Sequence, residues 1–227
     1  MTSANHNTGC PAGLEWGMEQ LQYGPSGRPG LRLEEIPAAL LALQRGEAMG
    51  IAPTGEVDIN RRLASFLAAV QEQHIGMRHV HGIRRALSNP QSDAREVIDE
   101  FKGLFDALGE NPAPQQESRA LLRIFDADQL AELLVISPTS MQRYARGDRQ
   151  PPEAVVERVH WLALVVGYLT GTYNRYGVRR WFERPRQALG GVSPKQALLN
   201  HPEWTPDSEG ARRVEELAKS LIGMPVT

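Results

Sequence analysis

Between Ser137 and Arg149 the chain gathers side chains that can read the edges of nucleic-acid bases. Thr139, Ser140, Gln142, Arg143 and Arg146 fall within one nine-residue stretch, with Ser137 just before it and Arg149 just after it. A glutamine amide matches the donor and acceptor of adenine, an arginine fork matches guanine, and serine or threonine hydroxyls reach bases or phosphates. If 138–146 is a helix, Met141 and Tyr144 lie three residues apart on one face and the polar set turns the other way. Ser137 is a good N-cap, and Pro138 follows at the first helical position, where its missing N–H costs nothing. Immediately upstream, Leu130 and Leu134 stack one turn apart on a preceding helix. Ile136 would fill the angle between the two helices, and the small Ala131 would let them cross closely.

This arrangement resembles the helix-turn-helix of Xre/lambda-repressor-like DNA-binding proteins, with 138–146 in the place of the recognition helix. In that motif the turn takes glycine, where this chain has Val135. A β-branched residue disfavours positive φ, so the expectation is a turn built in another way, or a first helix that runs further. The resemblance implies double-stranded DNA as a partner, contacted through Ser137, Thr139, Ser140, Gln142, Arg143, Arg146 and Arg149.

A second block lies downstream. Val178, Trp181 and Phe182 make a short amphipathic helix that stops before Pro185, and Ala188 and Leu189 are expected to insert into the core. Gly190-Gly191 allows a turn closed to other residues. Ser193 caps a further helix, Pro194 takes its first position, and Ala197 and Leu198 face inward. The succession Trp181-Phe182, Pro185, Ala188-Leu-Gly-Gly191, Ser193-Pro194 and Leu198-Leu199 resembles the C-terminal domain of Xre/MbcA/ParS-type antitoxins. A helix over 210–222, with Val214, Leu217, Ala218 and Leu221 inward, is similar to the closing helix of that family. The resemblance spans roughly residues 117–223. It implies a homodimeric antitoxin that represses its own promoter and neutralises a RES-domain toxin, an enzyme class that destroys NAD. The C-terminal end of such antitoxins reaches the toxin; here that corresponds loosely to Leu221–Thr227, and no single toxin-blocking residue is assigned. The long region 1–116 departs from compact family members. It keeps open a stand-alone helix-turn-helix regulator, or a DNA-bridging adaptor with no toxin partner.

Composition frames these readings. The 227 residues carry a formal net charge of −2, unevenly spread. From Pro138 to Arg186 there are nine arginines against Asp148, Glu153, Glu157 and Glu183, whereas residues 1–57 hold three arginines against six glutamates. A near-neutral chain can therefore still present a basic face to phosphate. Arg175, Arg179, Arg180, Arg184 and Arg186 belong to that basic half, with solvated surface the default role for each. Cys10 is alone, so no intramolecular disulfide or cysteine-cluster metal site can form. No basic segment followed by an apolar run opens the chain, and its longest apolar run, Trp161 to Leu169, is too short to span a bilayer. The expectation is a cytoplasmic protein, nucleoid-associated when bound to DNA and without a membrane partner.

The elements that would carry these residues are helical, and no segment alternates at period two. The expected fold is all-α: a helical bundle with a lambda-repressor-like helix-turn-helix and a C-terminal antitoxin-type helical domain. Four regions follow: a mobile N-terminal arm over 1–57, a helical region of unassigned role over 58–112, the DNA-binding domain over 113–170 and the toxin-binding domain over 171–227. Within the arm, local structure at Leu14–Tyr23 and a short helix over 34–46 are expected. Asp58 caps a firm helix with Ile59, Leu63, Phe66, Leu67 and Val70 in one stripe, and Ser92 or Asp93 opens another. Helix 153–169 is apolar around most of its circumference, the mark of a core or dimer-interface helix. No catalytic constellation emerges. His74, His79 and His81 lack a completing ligand set, Ser193 is not in a nucleophile elbow, and Gly190-Gly191 lacks the rest of a phosphate loop. No cofactor or metal is expected, and the chain is not read as an enzyme.

Overall fold

A computed structural model describes residues 30–52, 58–201 and 203–222. The protein is all-α: eleven α-helices and two short 3-10 segments, with no strand among the described residues. None of these helices is long and apolar enough to cross a membrane. The helices are α1 (Ile36–Ala48), α2 (Ile59–Glu72), α3 (Met77–Ser88), α4 (Ala94–Glu110), α5 (Pro114–Leu121), α6 (Ala127–Leu134), α7 (Pro138–Arg146), α8 (Glu153–Thr170), α9 (Arg175–Glu183), α10 (Pro194–Leu199) and α11 (Glu209–Lys219). The 3-10 segments are Gln187–Leu189 and Ser220–Ile222. Their packing divides the chain into two units. Of the described residues, those up to 43 together with 52–107 form the first, and 44–51 together with those from 108 onward form the second.

The first unit is built on the stripes of α2, α3 and α4. Asp58 caps α2 by accepting the Arg61 N–H at 2.9 Å, and Asp93 accepts the Arg95 N–H at 3.1 Å where α4 begins. Leu63, Phe66, Leu67, Val70, Val80, Ile83, Val97, Phe101 and Leu104 are buried. His79 Nδ1 meets the Glu100 carboxylate at 2.8 Å, and two glycines make room for that pair. A side chain at Gly82 would strike the Glu100 carboxylate, and one at Gly103 would strike the His79 ring. His74 and His81 are exposed, so the histidine trio is not assembled. No group of three metal-ligating side chains converges among the described residues.

The expectation of an arm over 1–57 is corrected for its described part. The helix anticipated over 34–46 runs from Ile36 to Ala48 and is packed, with Ala39, Ala42, Leu43, Ala48, Met49 and Ile51 buried. The cause lies in its small residues. Ala48 approaches Gly167 of α8, and Gly50, at φ 72°, lets the chain turn against α5, where a side chain would meet the Gln116 carbonyl at 2.5 Å. The local structure expected at Leu14–Tyr23 lies outside the described residues.

The second unit is organised around α8, which packs against α5, α6, α9 and α11. Its apolar circumference accounts for this position: Val159, Leu162, Ala163, Val165, Val166 and Leu169 have no exposed surface. The boundary expected at 170/171 falls inside this unit, because residues on either side of it share the same core. Trp204 stacks edge-on to Trp161 of α8 with ring centroids 5.0 Å apart. Phe182 of α9 meets Phe125 at 5.5 Å. Ser193 and Gln196 form a full capping box at the start of α10. Ala188 corrects an expectation: Leu189 is buried, but Ala188 is exposed. The 3-10 turn points its Cβ outward, while its carbonyl accepts Arg213 Nη2 at 3.0 Å.

Candidate nucleic-acid interface

The polar stretch found in the sequence is α7, and the structure explains how α7 is held. Ser137 caps it, with Oγ accepting the Ser140 N–H at 3.1 Å and donating to Ser140 Oγ at 2.9 Å. Met141 and Tyr144 are buried against the unit, joined by Ala145. Thr139, Gln142, Arg143 and Arg146 are all exposed. Their spacing of three, one and three residues lines them along one helical face. Arg149, exposed, follows the helix end, as Ser137, also exposed, precedes its start; Ser140 is half-buried. All seven candidate residues therefore sit on one nine-residue helix and its two flanks. Among them, Ser137 and Ser140 spend hydroxyl capacity on the cap. Arg146 Nε donates to Asp148 Oδ2 at 2.8 Å.

The preceding turn differs from the expectation. Helix α6, capped by Asp126 accepting the Gln129 N–H at 2.8 Å, stops at Leu134 and does not run on. Val135 itself adopts the left-handed conformation, φ 56° and ψ 49°, that glycine takes most easily. For a β-branched residue this conformation is strained by about 1–2 kcal/mol. What offsets the strain is visible in the carbonyls. The last four of a helix have no partner within it, and here each one is bonded. Ala131 accepts the Ile136 N–H at 3.0 Å and Glu132 accepts the Val135 N–H at 3.2 Å, the two bonds of a Schellman turn. Leu133 accepts the Trp204 indole N–H at 2.9 Å, and Leu134 accepts Arg158 Nη1 at 2.8 Å. A Trp 71 residues away and an Arg on α8 thus complete the end of α6.

Helix α7 ends in the same way, with Gly147 at φ 81° in the left-handed position. Asp148 N–H bonds the Arg143 carbonyl at 3.0 Å, and Gly147 N–H bonds that of Tyr144 at 3.1 Å. Arg119 of α5 reaches across to the Ala145 carbonyl at 2.6 Å. Ile136, expected to fill the interhelical angle, is only half-buried, whereas Leu133 and Leu134 have no exposed surface.

Compared with protein-family models, curated proteins and solved structures, the chain matched none.

The remaining arginines separate by environment. Arg158 is committed to backbone carbonyls. Arg186 is half-buried over the Trp181 ring at 5.5 Å. Arg175 and Arg184 are exposed. Arg180 lies 5.9 Å from the Tyr176 ring centre, and with Arg179 it borders an open groove of about 550 Å³. Asp126, Asp128, Glu132 and Glu183 also line that groove. There Lys195 bridges Glu132 at 2.8 Å and Glu183 at 3.5 Å. The hydrogen bond that Lys195 donates to Glu132, with the charges of Glu183 and Glu132, raises the Lys195 pKa against the cost of desolvation.

One polar centre of this unit went unread in the sequence. Glu117 of α5 is fully buried, and its Oε1 meets His160 Nδ1 at 2.6 Å. His160 Nε2 meets the Gly109 carbonyl at 2.8 Å. Both ring nitrogens face acceptors, a setting that favours the doubly protonated ring. Burial opposes that charge and Arg45 adds repulsion. The hydrogen bond and charge of Glu117, helped by Gly109, outweigh both and raise the His160 pKa above its ordinary value. The available signal was one histidine beside the apolar run of Trp161 to Leu169. Of the segment Leu221–Thr227, residues 223–227 lie outside the described residues, and Leu221 is half-buried.

Proposed function

We propose that the chain is a sequence-specific DNA-binding transcriptional regulator. In this reading α6 and α7 are a helix-turn-helix of the lambda-repressor type, and α7 enters the major groove. One observation carries it: Thr139, Gln142, Arg143 and Arg146 share an exposed face of a capped helix whose opposite face, Met141 and Tyr144, is buried. Gln142, Arg143 and Arg146 supply base contacts, and Thr139, Ser140 and Ser137 supply hydroxyls. Arg149 supplies a phosphate contact that positions the helix without reading sequence. Rigid positioning supports the same reading, since the α6 terminus has every carbonyl bonded and α7 is tied to α5 through Arg119.

Selection from a random duplex library, followed by binding titrations over a range of salt, tests this. A specific site bound at least about 10³-fold more tightly than random DNA is expected. Arg143→Ala should cost about 1–3 kcal/mol at one base pair, and Arg149→Ala should weaken all sequences alike with a shallower salt slope. Failure to enrich any sequence overturns the proposal.

The narrower reading is a homodimeric antitoxin acting on its own promoter and on a RES-domain toxin. It is supported by the resemblance of Trp181 to Leu199, and it places DNA half-sites about 34 Å apart. Co-expression with the product of the adjacent gene tests it: rescue of growth and a co-purifying complex support it, and neither appearing overturns it.

A further inference from the structure

We infer that Asp148, which itself lies outside α7, sets the base preference of Arg146. The inference rests on the DNA-binding reading above and names a positioning residue within it. It starts from the backbone. Gly147 in the left-handed region turns the chain back on α7, and the Asp148 N–H closes on the Arg143 carbonyl at 3.0 Å. This return brings the Asp148 carboxylate beside the last helical side chain of the reading face, with Oδ2 2.8 Å from Arg146 Nε.

The chosen atom is what matters. A guanidinium has five N–H donors in a planar fork. A carboxylate on Nε occupies the side edge and leaves the terminal Nη edge, the pair of donors that matches guanine O6 and N7. An arginine held at its side edge keeps its plane and direction before DNA arrives. A free arginine must be immobilised on binding, which costs one long side chain its rotamer freedom. Gln142 and Arg143, the other two long side chains on this face, have no such buttress among the described residues. The pair is half-exposed, with 61% of the Arg146 side chain and 50% of the Asp148 side chain accessible. It adds little to folding in water. Its contribution grows when DNA excludes the solvent around it.

The carboxylate has a second effect of opposite sign. It places a negative charge among Arg143, Arg146 and Arg149 and so weakens attraction to phosphates of any sequence. Asp148 therefore raises selectivity while lowering indiscriminate affinity. A residue acting through charge alone, or through folding alone, does not separate these two quantities.

The test uses the full chain with the site selected by the unaltered protein. Arg146→Ala first locates the base pair that Arg146 reads, as the position where preference collapses. Asp148→Ala should then lower the preference for guanine at that position about two- to tenfold, the cost of ordering one side chain. The same variant should bind random duplex more tightly. Asp148→Asn keeps an oxygen acceptor for Nε without the charge. It should bind random duplex as tightly as Asp148→Ala yet lose clearly less of the guanine preference than Asp148→Ala does. Far-UV circular dichroism and unfolding midpoints should match in all three proteins, because the Asp148 side chain is half-exposed.

The inference is overturned if Asp148→Ala keeps its full preference at the Arg146 position. It is equally overturned if Asp148→Asn loses as much preference as Asp148→Ala, or if the change falls at a cytosine that Arg146 does not read. If Arg146→Ala alters no position while a site is still selected, Arg146 reads no base and only this inference fails. If the unaltered protein selects no site, the DNA-binding reading fails first.

Discussion

Replacing His160 by Phe tests whether the buried pair between α5 and α8 holds the second unit together. The ring shape is retained approximately, but two hydrogen bonds are removed: 2.6 Å to Glu117 Oε1 and 2.8 Å to the Gly109 carbonyl. Glu117 has no exposed surface, and its other oxygen, Oε2, already lacks a protein partner. The substitution therefore leaves an uncompensated carboxylate between α5 and α8. Breaking a buried pair from one side costs about 3–5 kcal/mol, against a total stability on the order of 5–15 kcal/mol for a domain. Removing both partners should cost much less, since similar-sized apolar groups can replace such pairs at little loss. Urea unfolding followed by circular dichroism should thus place His160→Phe about 3–5 kcal/mol below the parent. The double variant Glu117→Leu with His160→Phe should recover at least about 2 kcal/mol of that deficit. A His160→Phe loss under about 1 kcal/mol, or a double variant equal to the sum of the singles, would refute the reasoning.

The same pair predicts a pH dependence. Since the folded His160 pKa is raised, its contribution is complete below the unfolded value of about 6.5 and is lost as pH rises through the folded value; Glu117→Gln should flatten that segment of a stability-versus-pH curve. Trp204→Phe should cost about 1–3 kcal/mol in urea unfolding, because the buried Leu133 carbonyl loses its only indole donor while an aromatic ring remains against Trp161. Gly147→Val should cost about 2 kcal/mol or more by adding left-handed strain in front of Gln115. Val135→Gly should change stability by less than about 1 kcal/mol, as relief of strain is balanced by chain flexibility and a lost apolar contact; a melting series comparing the two sites checks both.

What could be read from the residues was what the backbone decides locally. Asp58, Ser137 and Ser193 cap the helices they precede, because a short oxygen acceptor next to an apolar stripe has one favourable use. The division of α7 into a buried and an exposed face follows from its 3.6-residue period and needs no tertiary information. Val135 could not be read, since its conformation runs against its own preference and is imposed by four bonded carbonyls, two of them from side chains far along the chain. Glu117 and His160 were hidden for the same reason. They are 43 residues apart, and no period relates them. The helix expected over 34–46 is present as α1, but its packing could not be read, because small residues such as Ala39, Ala42 and Ala48 look weakly hydrophobic singly, yet allow close packing together.

These unread ties bear on function through what they leave unspent. The base of α7 is fixed by Met141 and Tyr144 beneath it, by Arg119 on the Ala145 carbonyl, and by an α6 end whose Leu133 and Leu134 carbonyls are bonded from Trp204 and Arg158. Two of the chain's arginines, Arg119 and Arg158, are thereby committed to backbone, and Arg186 is half-buried against Trp181. The arginines left on the exposed face of α7 are Arg143 and Arg146, with Arg149 at its edge. A basic count along the sequence overstates the surface offered to phosphate, whereas the position of each guanidinium separates support from contact. That separation makes a direct comparison possible. Arg119→Ala and Arg158→Ala should lower the unfolding midpoint before they alter any base preference. Arg143→Ala should alter a base preference with the midpoint unchanged. If Arg158→Ala instead relaxed selectivity in a protein of undiminished stability, the assignment of α7 as a face carried rigidly by the second unit would be wrong.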